Sequence, residues 1–218
     1  MRKKKEERID EDWMATYGDM VTLLLCFFVM ISSVSKVDLA MFEQIQAGMN
    51  EGFGQKEVTR PIEMMMIELT DDIQSMSLGD EVALGTDAQG VVIEFGGDLL
   101  FQHGSAEIRP KMLPALKRLA ATLMSDRYNS FNFSVEGHTS DEPFSSDLYP
   151  SNWELSAARA AAVVRFLESR GIPRVRLKAT GLYDNAPKYP NHDPYGEPIP
   201  QNMMKNRRVI IHVEPSFK

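Results

Sequence analysis

The sequence predicts one membrane-spanning helix near its start, followed by a compact domain that mixes helices and strands. Three observations carry this. Trp13–Val34, WMATYGDMVTLLLCFFVMISSV, is apolar along its length and holds a single carboxylate, Asp19. From Gly90 onward, short runs of alternating or continuous apolar residues exchange with runs at helical spacing. Ser151-Asn152-Trp153-Glu154 is a capping box that opens one of those helices.

Composition narrows the function classes. The chain has 218 residues and a formal net charge of −7, with a pI of about 5.2. A general nucleic-acid binder would present a basic face, so no nucleic-acid partner is expected. Cys26 is the single cysteine and lies inside the apolar span, which excludes an intramolecular disulfide. The 14 methionines include Met64–Met66 and Met203–Met204, read as packing or segment-end residues rather than a metal-binding run.

Residues 1–12 are charged: Arg2, Lys3, Lys4, Lys5 and Arg8 precede Asp10, Glu11 and Asp12. Basic residues beside a first span hold that end in the cytoplasm. This segment is expected to be a cytoplasmic tail, and residues 13–36 the transmembrane helix. A cleaved signal peptide fits less well, because the apolar run is long, no A-x-A site follows and acidic residues crowd the flank. Trp13 and Tyr17 suit the cytoplasmic interface. About 20 helical residues cross a bilayer core of about 30 Å. A carboxylate inside such a span costs at least about 2.5–3.5 kcal/mol. Thr22, Cys26, Met30 and Ser33 follow Asp19 on one helical face, and that small, partly polar stripe must meet protein or water. A single helix cannot enclose its own carboxylate, so partner helices are implied.

Residues 38–54 read as a short amphipathic helix just outside the membrane, with Leu39, Phe42, Ile45, Met49 and Phe53 at helical spacing. Residues 55–88 read as a linker ending in an adaptable helix near Met64–Met76. In the domain that follows, residues 89–218, Val91–Phe95 is a buried strand candidate. Pro110–Met124 is a helix with Leu113, Leu116, Leu119, Ala120 and Leu123 on its apolar side. Phe131–Glu136 is a strand leading to Gly137-His138-Thr139. The capped helix carries Leu155, Ala158, Ala162 and Phe166 on one face, and Gly171 and Pro173 end it. Val175–Ala179 and Val209–Val213 are the last strands. Between them Tyr183–Met204, with Pro187, Pro190, Pro194, Pro198 and Pro200, is a long surface loop.

Several stretches are recognisable together. WMATYGDMVTLLLCFF with the following VSKVDLAMFEQI resembles the B subunit of the bacterial flagellar motor stator, the MotB/PomB family. VEGHTSDEPF, YPSNWELSAARAAAVVRFLESRGI, LKATGLYDNAP and KNRRVIIHVEP resemble that family's OmpA-like peptidoglycan-binding domain, in its order. The resemblance implies an α+β OmpA-like fold with a mixed sheet packed by helices. It implies a wall-anchored, ion-conducting stator subunit of the inner membrane, single-pass, with a cytoplasmic N-terminus and a periplasmic C-terminal domain. Asp19 matches the ion-binding carboxylate, and Leu39–Phe53 the plug that blocks ion flow until the unit joins a motor. Thr139, Asp141, Leu155, Arg159, Asn206 and Arg207 lie in the segments that contact the peptide stem of peptidoglycan. The implied partners are an A-type (MotA/PomA-like) subunit, five around two B subunits, a second copy of this chain, peptidoglycan and, indirectly, the flagellar rotor. No cofactor is implied beyond the transported H+ or Na+. One departure stands out. The common motif reads Gly-His-Thr-Asp, with that Asp receiving the ligand's amine, whereas here Ser140 holds that position and the carboxylate comes one residue later, at Asp141. The resemblance leaves Asp141 or Glu142 to take the role after a small loop shift, or else a weaker amine contact.

Cys26 and the V-S-K-V-D-x-x-x-F-x-Q-I continuation look more like the sodium-type PomB branch than the proton-type one, and Thr22 offers an oxygen to a hard cation. Both ions stay open, because the A subunit supplies part of the site. Two other readings stand beside the flagellar one: a B-type subunit of another rotary ion-driven complex, and a passive peptidoglycan anchor. Asp19 argues against the anchor, which has no use for a costly carboxylate. No enzyme is expected: His138, Ser140 and Asp141 are neighbours in sequence, and a triad needs convergent geometry. His103, His192 and His212 show no zinc spacing, so no metal site is expected other than sodium in transit at Asp19.

Overall fold

Alternation of apolar residues in the second half builds a sheet with one greasy face, and the helices bury that face. The computed structural model describes residues 12–34, 61–79 and 81–216. The chain divides into two units, Met1–Val37 and Asp38–Lys218. The first contains helix α1 (Asp12–Val34), whose residues Trp13–Ser33 are long and apolar enough to cross a membrane. The expected plug, including Leu39, Phe42, Ile45, Met49 and Phe53, lies outside the described residues.

In the second unit, α2 (Pro61–Ser75) precedes β1 (Val82–Asp87) and β2 (Gly90–Gly96). A single turn, α3 (Gly97–Leu100), follows. Then come α4 (Leu113–Leu123), β3 (Phe131–His138), α5 (Asn152–Ser169), β4 (Leu177–Tyr183), α6 (Pro200–Asn206) and β5 (Arg208–Pro215). The sheet order is β1-β2-β5-β3-β4. Among the described strands only the β3–β4 pair is parallel, which the α5 crossover between them allows. Val91, Ile93, Phe95, Phe133, Val135, Val209, Ile211 and Val213 form the inner face and pack on Leu116, Leu119, Leu123, Val163 and Leu167. The opposite face carries Glu94, Glu136, Arg208 and His212, as strand alternation requires.

Several expected boundaries move. The segment expected as a linker, 55–88, contributes α2 and β1 to this unit. Ile62, Met65 and Leu69 of α2 are buried, and β1 pairs with β2 from Val82 to Asp87. Glu68 accepts hydrogen bonds from Arg127 and Tyr128, and Asp72 from Arg118 and Thr122, which fastens α2 beside α4. The Pro110–Met124 helix begins as a 3-10 turn, Pro110–Met112, and Ala115 rather than Leu113 faces the core. The strand expected at Val175 begins two residues later. Pro173 enters a 3-10 turn at Arg174–Arg176, and Arg176 pins it by donating to the Phe131 and Tyr128 carbonyls, both at 2.6 Å. Val175 is left 92% exposed.

On α5 the buried line runs through Leu155, Arg159, Val163 and Leu167, beside Ser156 and Ala160, with Ala158 and Phe166 at its margin. Close approach to the sheet sets this rotation: a Cβ on Gly137 would lie 2.1 Å from the Ser156 carbonyl oxygen. The surface loop is shorter than expected, since Tyr183 closes β4 and Pro200 starts α6.

Candidate functional site

The unbroken α1 helix keeps Asp19, Thr22, Cys26, Met30 and Ser33 at three- and four-residue spacing, so they share one face. Asp19 and Cys26 are exposed within this unit. Thr22 Oγ1 donates to the Asp19 backbone carbonyl at 2.8 Å. Its hydroxyl lone pairs stay available to a cation.

A recess in the second unit forms where β3 runs out. The chain leaves His138 through Thr139 and Ser140, each 3% exposed, and re-enters structure at Ser151. There the Ser151 hydroxyl accepts from the Trp153 N–H at 3.2 Å and donates to Glu154. Asn152 ties the intervening loop down by donating to the Glu142 carbonyl at 2.7 Å. Phe144 of that loop packs on Gly104, whose φ of +68 and missing Cβ make room for the ring, and lies edge-on to His103. These residues with Leu155, Arg159, Glu142 and Arg207 line the cleft.

The two guanidinium groups are held differently. Arg159 is 2% exposed. It donates to the Ser105 carbonyl at 2.9 Å and the Gln102 carbonyl at 3.2 Å, and lies over the Phe101 ring. Burial pushes its pKa down to about 10, still cationic at neutral pH. Arg207 reaches Asp98 at 3.4 Å and Glu142 at 3.7 Å, while its buried Nε has no partner among the described residues. Thr139 Oγ1 is likewise buried without a partner. The cleft thus offers two cations, an unused N–H and an unused hydroxyl, which is donor chemistry for a carboxylate.

Arg207, Glu142 and Pro143 also wall a second recess, completed by Asp141, His192, Pro198, Pro200 and Met203. Asp141 Oδ2 meets His192 Nδ1 at 3.1 Å, and its Oδ1 is buried without a partner. The residue shift is therefore felt in space. Ser140 lines the first cleft, and the Asp141 carboxylate faces the second.

Of the six residues expected at the wall site, Thr139, Leu155, Arg159 and Arg207 meet in the first cleft, and Asp141 faces the adjoining recess. Asn206 lines neither. Its Oδ1 accepts from the Lys188 and Tyr189 N–H groups at 2.9 and 3.0 Å, and its Nδ2 donates to Tyr189 O and Asn191 Oδ1, both at 2.7 Å. It anchors the 184–199 loop. Sequence reasoning named Glu142 beside Asp141 as a carboxylate for the ligand's amine, and it lines both recesses; it missed His103, Phe144 and Asn152. Asn152 had a signal, since a second polar residue beside a capping serine sits where a loop must be tied; His103 had none.

On the opposite sheet face, Glu136 Oε2 lies 3.5 Å from His138 Nε2 and 3.4 Å from His212 Nε2. Asp87 Oδ2 is 3.2 Å from His212 Nδ1. The two imidazoles hold the Glu136 carboxyl well below the usual carboxylate range. Glu136, ahead of Asp87, raises the pKa of His212.

Comparison with known proteins gives this geometry a context. Residues 1–53 match the family model described as membrane MotB of the proton-channel complex MotA/MotB. Residues 100–198 match the OmpA family. The uncharacterised protein YtxE of Bacillus subtilis is 30% identical over 231 residues, covering 97% of this chain and 92% of that one. Motility protein B of the same organism is 24% identical, covering 98% and 94%. A crystal structure of a putative MotB-like protein from Desulfovibrio vulgaris superposes with a TM-score of 0.62 at 25% identity, covering 72% of this chain and 93% of that one. The chain belongs to the MotB family, as a MotB-like stator subunit whose second unit is an OmpA-like, peptidoglycan-binding domain.

Proposed function

We propose that this chain is the ion-conducting, wall-anchored B subunit of a flagellar motor stator, working with an A-type subunit in the expected five-to-two arrangement. The observation that carries it is Asp19, a carboxylate on the small-residue face of a span within the stretch matched to the MotB model. Its cost in a bilayer is offset only if partner helices enclose it and an ion neutralises it. In this reading the ion enters from the periplasm after the plug, Leu39–Phe53, has left, and binds Asp19 with Thr22 and Cys26 beside it. One charge crossing 100 mV carries about 2.3 kcal/mol. Charged and neutral Asp19 on two B helices favour different placements of the A helices, which turns ion passage into rotation. The peptidoglycan-bound domain keeps the B dimer from turning with them.

At the wall, Arg159 and Arg207 offer the first cleft to a carboxylate of the peptide stem. Asp141 and Glu142, in and beside the second recess, receive its amine in place of the usual Asp one residue earlier. No step needs a resident cofactor or covalent catalysis. Sodium is the ion we favour, on Cys26 and the sequence after the span. The matched model names a proton channel, so H+ is the alternative.

The test is motility in a strain where this is the only B subunit. Asp19→Asn is expected to abolish swimming while the protein still inserts; full torque in that mutant would overturn the reading.

A further inference from the structure

An aromatic pair at the start of α5 is used by neither recess. Trp153 is 47% exposed, and its ring centroid lies 5.5 Å from that of Tyr183 at an interplanar angle of 43°. Tyr183 holds a φ of +52, a conformation that bulky residues avoid and that surrounding structure must enforce. Here it is enforced from both sides. The Tyr183 N–H donates to Ser156 Oγ at 3.3 Å, and its carbonyl accepts from the Thr139 N–H at 3.0 Å. The β3–β4 register shifts at the same point, between Gly137 and His138. The indole N–H and the Tyr183 hydroxyl have no hydrogen-bond partner among the described residues. The pair adjoins the first cleft: Asn152 and Leu155 flank Trp153 along α5 and line it, as does Thr139, which is bonded to Tyr183.

We propose that Trp153 and Tyr183 form a stacking platform for a pyranose ring of the peptidoglycan glycan strand, beside the cleft that takes the peptide. This rests on the wall-binding reading above. A pyranose presents C–H groups on one face and hydroxyls around its rim. Aromatic faces carry negative quadrupole and attract such C–H groups, while an indole N–H and a phenol at the ring edges suit hydroxyls. Two stiff rings supply this area at little entropic cost, and the strained Tyr183 backbone fixes one of them in place.

The test uses the full chain in detergent, with the Trp13→Phe substitution so that Trp153 is the one remaining tryptophan of two. Its emission is titrated with a disaccharide-tripeptide fragment of peptidoglycan and, separately, with the free tripeptide. The platform predicts tighter binding of the fragment and an emission change specific to it. In the chain with both tryptophans, Trp153→Ala is then measured calorimetrically. It should lose about tenfold in affinity for the fragment and little for the peptide, with Trp153→Phe recovering most of the loss. Equal affinity of wild type for both ligands overturns the platform and leaves peptide binding intact. So does a Trp153→Ala loss shared equally by both ligands, or no loss at all. Binding of neither ligand by wild type overturns the wall-binding reading itself.

Discussion

Four hydrogen bonds converge on the Asn206 side chain, which is 1% exposed. Each is worth roughly 0.5–1.5 kcal/mol net, and orphaned buried N–H groups cost more. Asn206→Ala should therefore destabilise the second unit by about 2–4 kcal/mol, read as a lower urea midpoint. Wall binding should fall only as far as the 184–199 loop loosens. Arg159→Ala behaves differently. It removes a cleft cation and also the donors that hold the Gln102 and Ser105 carbonyls, so it should lower both stability and co-sedimentation with purified peptidoglycan. Undiminished co-sedimentation would remove Arg159 from the site. Glu136 and His212 make a pH-dependent pair. His212 has a raised folded pKa, so its stabilisation is full below about 6.5 and is lost as pH climbs through the folded value. Glu136 has a depressed folded pKa, so its contribution is full above about 4.5 and is lost as pH falls below that. The pair stabilises most between those values. Thermal midpoints against pH should show a maximum there that Glu136→Gln flattens.

At the scale of elements, α2 decides where the wall-binding unit begins. Met65 and Leu69 are 0% and 1% exposed in a core shared with Leu119 and Ile93. Leu69→Ala should cost about 2–5 kcal/mol. If residues 61–75 were a free linker, the unfolding midpoint would not move. This boundary was hard to read for a physical reason. Met64-Met65-Met66 is apolar all round, so its buried face has no period, and β1 is an edge strand whose V-A-L-G-T-D is half polar. Elements with a strong pattern were legible: Val91–Phe95, Val209–Val213, and α5 from its cap. Val175 was misassigned because V-R-L-K alternates as a strand does; only the Arg176 contacts, remote in sequence, reveal the turn. The cleft was half legible. Resemblance supplied Arg159 and Arg207. The commitment of Asn206 to its own loop, and the turning of Asp141 toward His192, depend on loop packing that no spacing encodes.

For the whole molecule, the proposed function turns on which ion Asp19 takes and on what gates its path. Sodium and protons differ in what they ask of Asp19. A proton needs only the carboxylate, whereas sodium wants several oxygens, and Thr22 is the nearest such group on the stripe. With sodium as the coupling ion, swimming speed at fixed pH should rise with external sodium and saturate, and Thr22→Val should shift the half-saturating concentration upward. A proton-driven unit would instead keep its speed across the sodium range and slow as the external pH is raised. The proposed plug adds a separate prediction, since a plug matters only when a conducting path exists. Deleting residues 39–53 should slow growth when the A subunit is co-expressed and should be harmless without it. Combining the deletion with Asp19→Asn should restore growth, because the proposed path runs through the Asp19 carboxylate and would then have nothing to leak through. An unchanged cytoplasmic ion level in the deletion strain would count against the plug. Continued leak in the double mutant would place the ion path away from Asp19, and the torque mechanism built on that residue would fall with it.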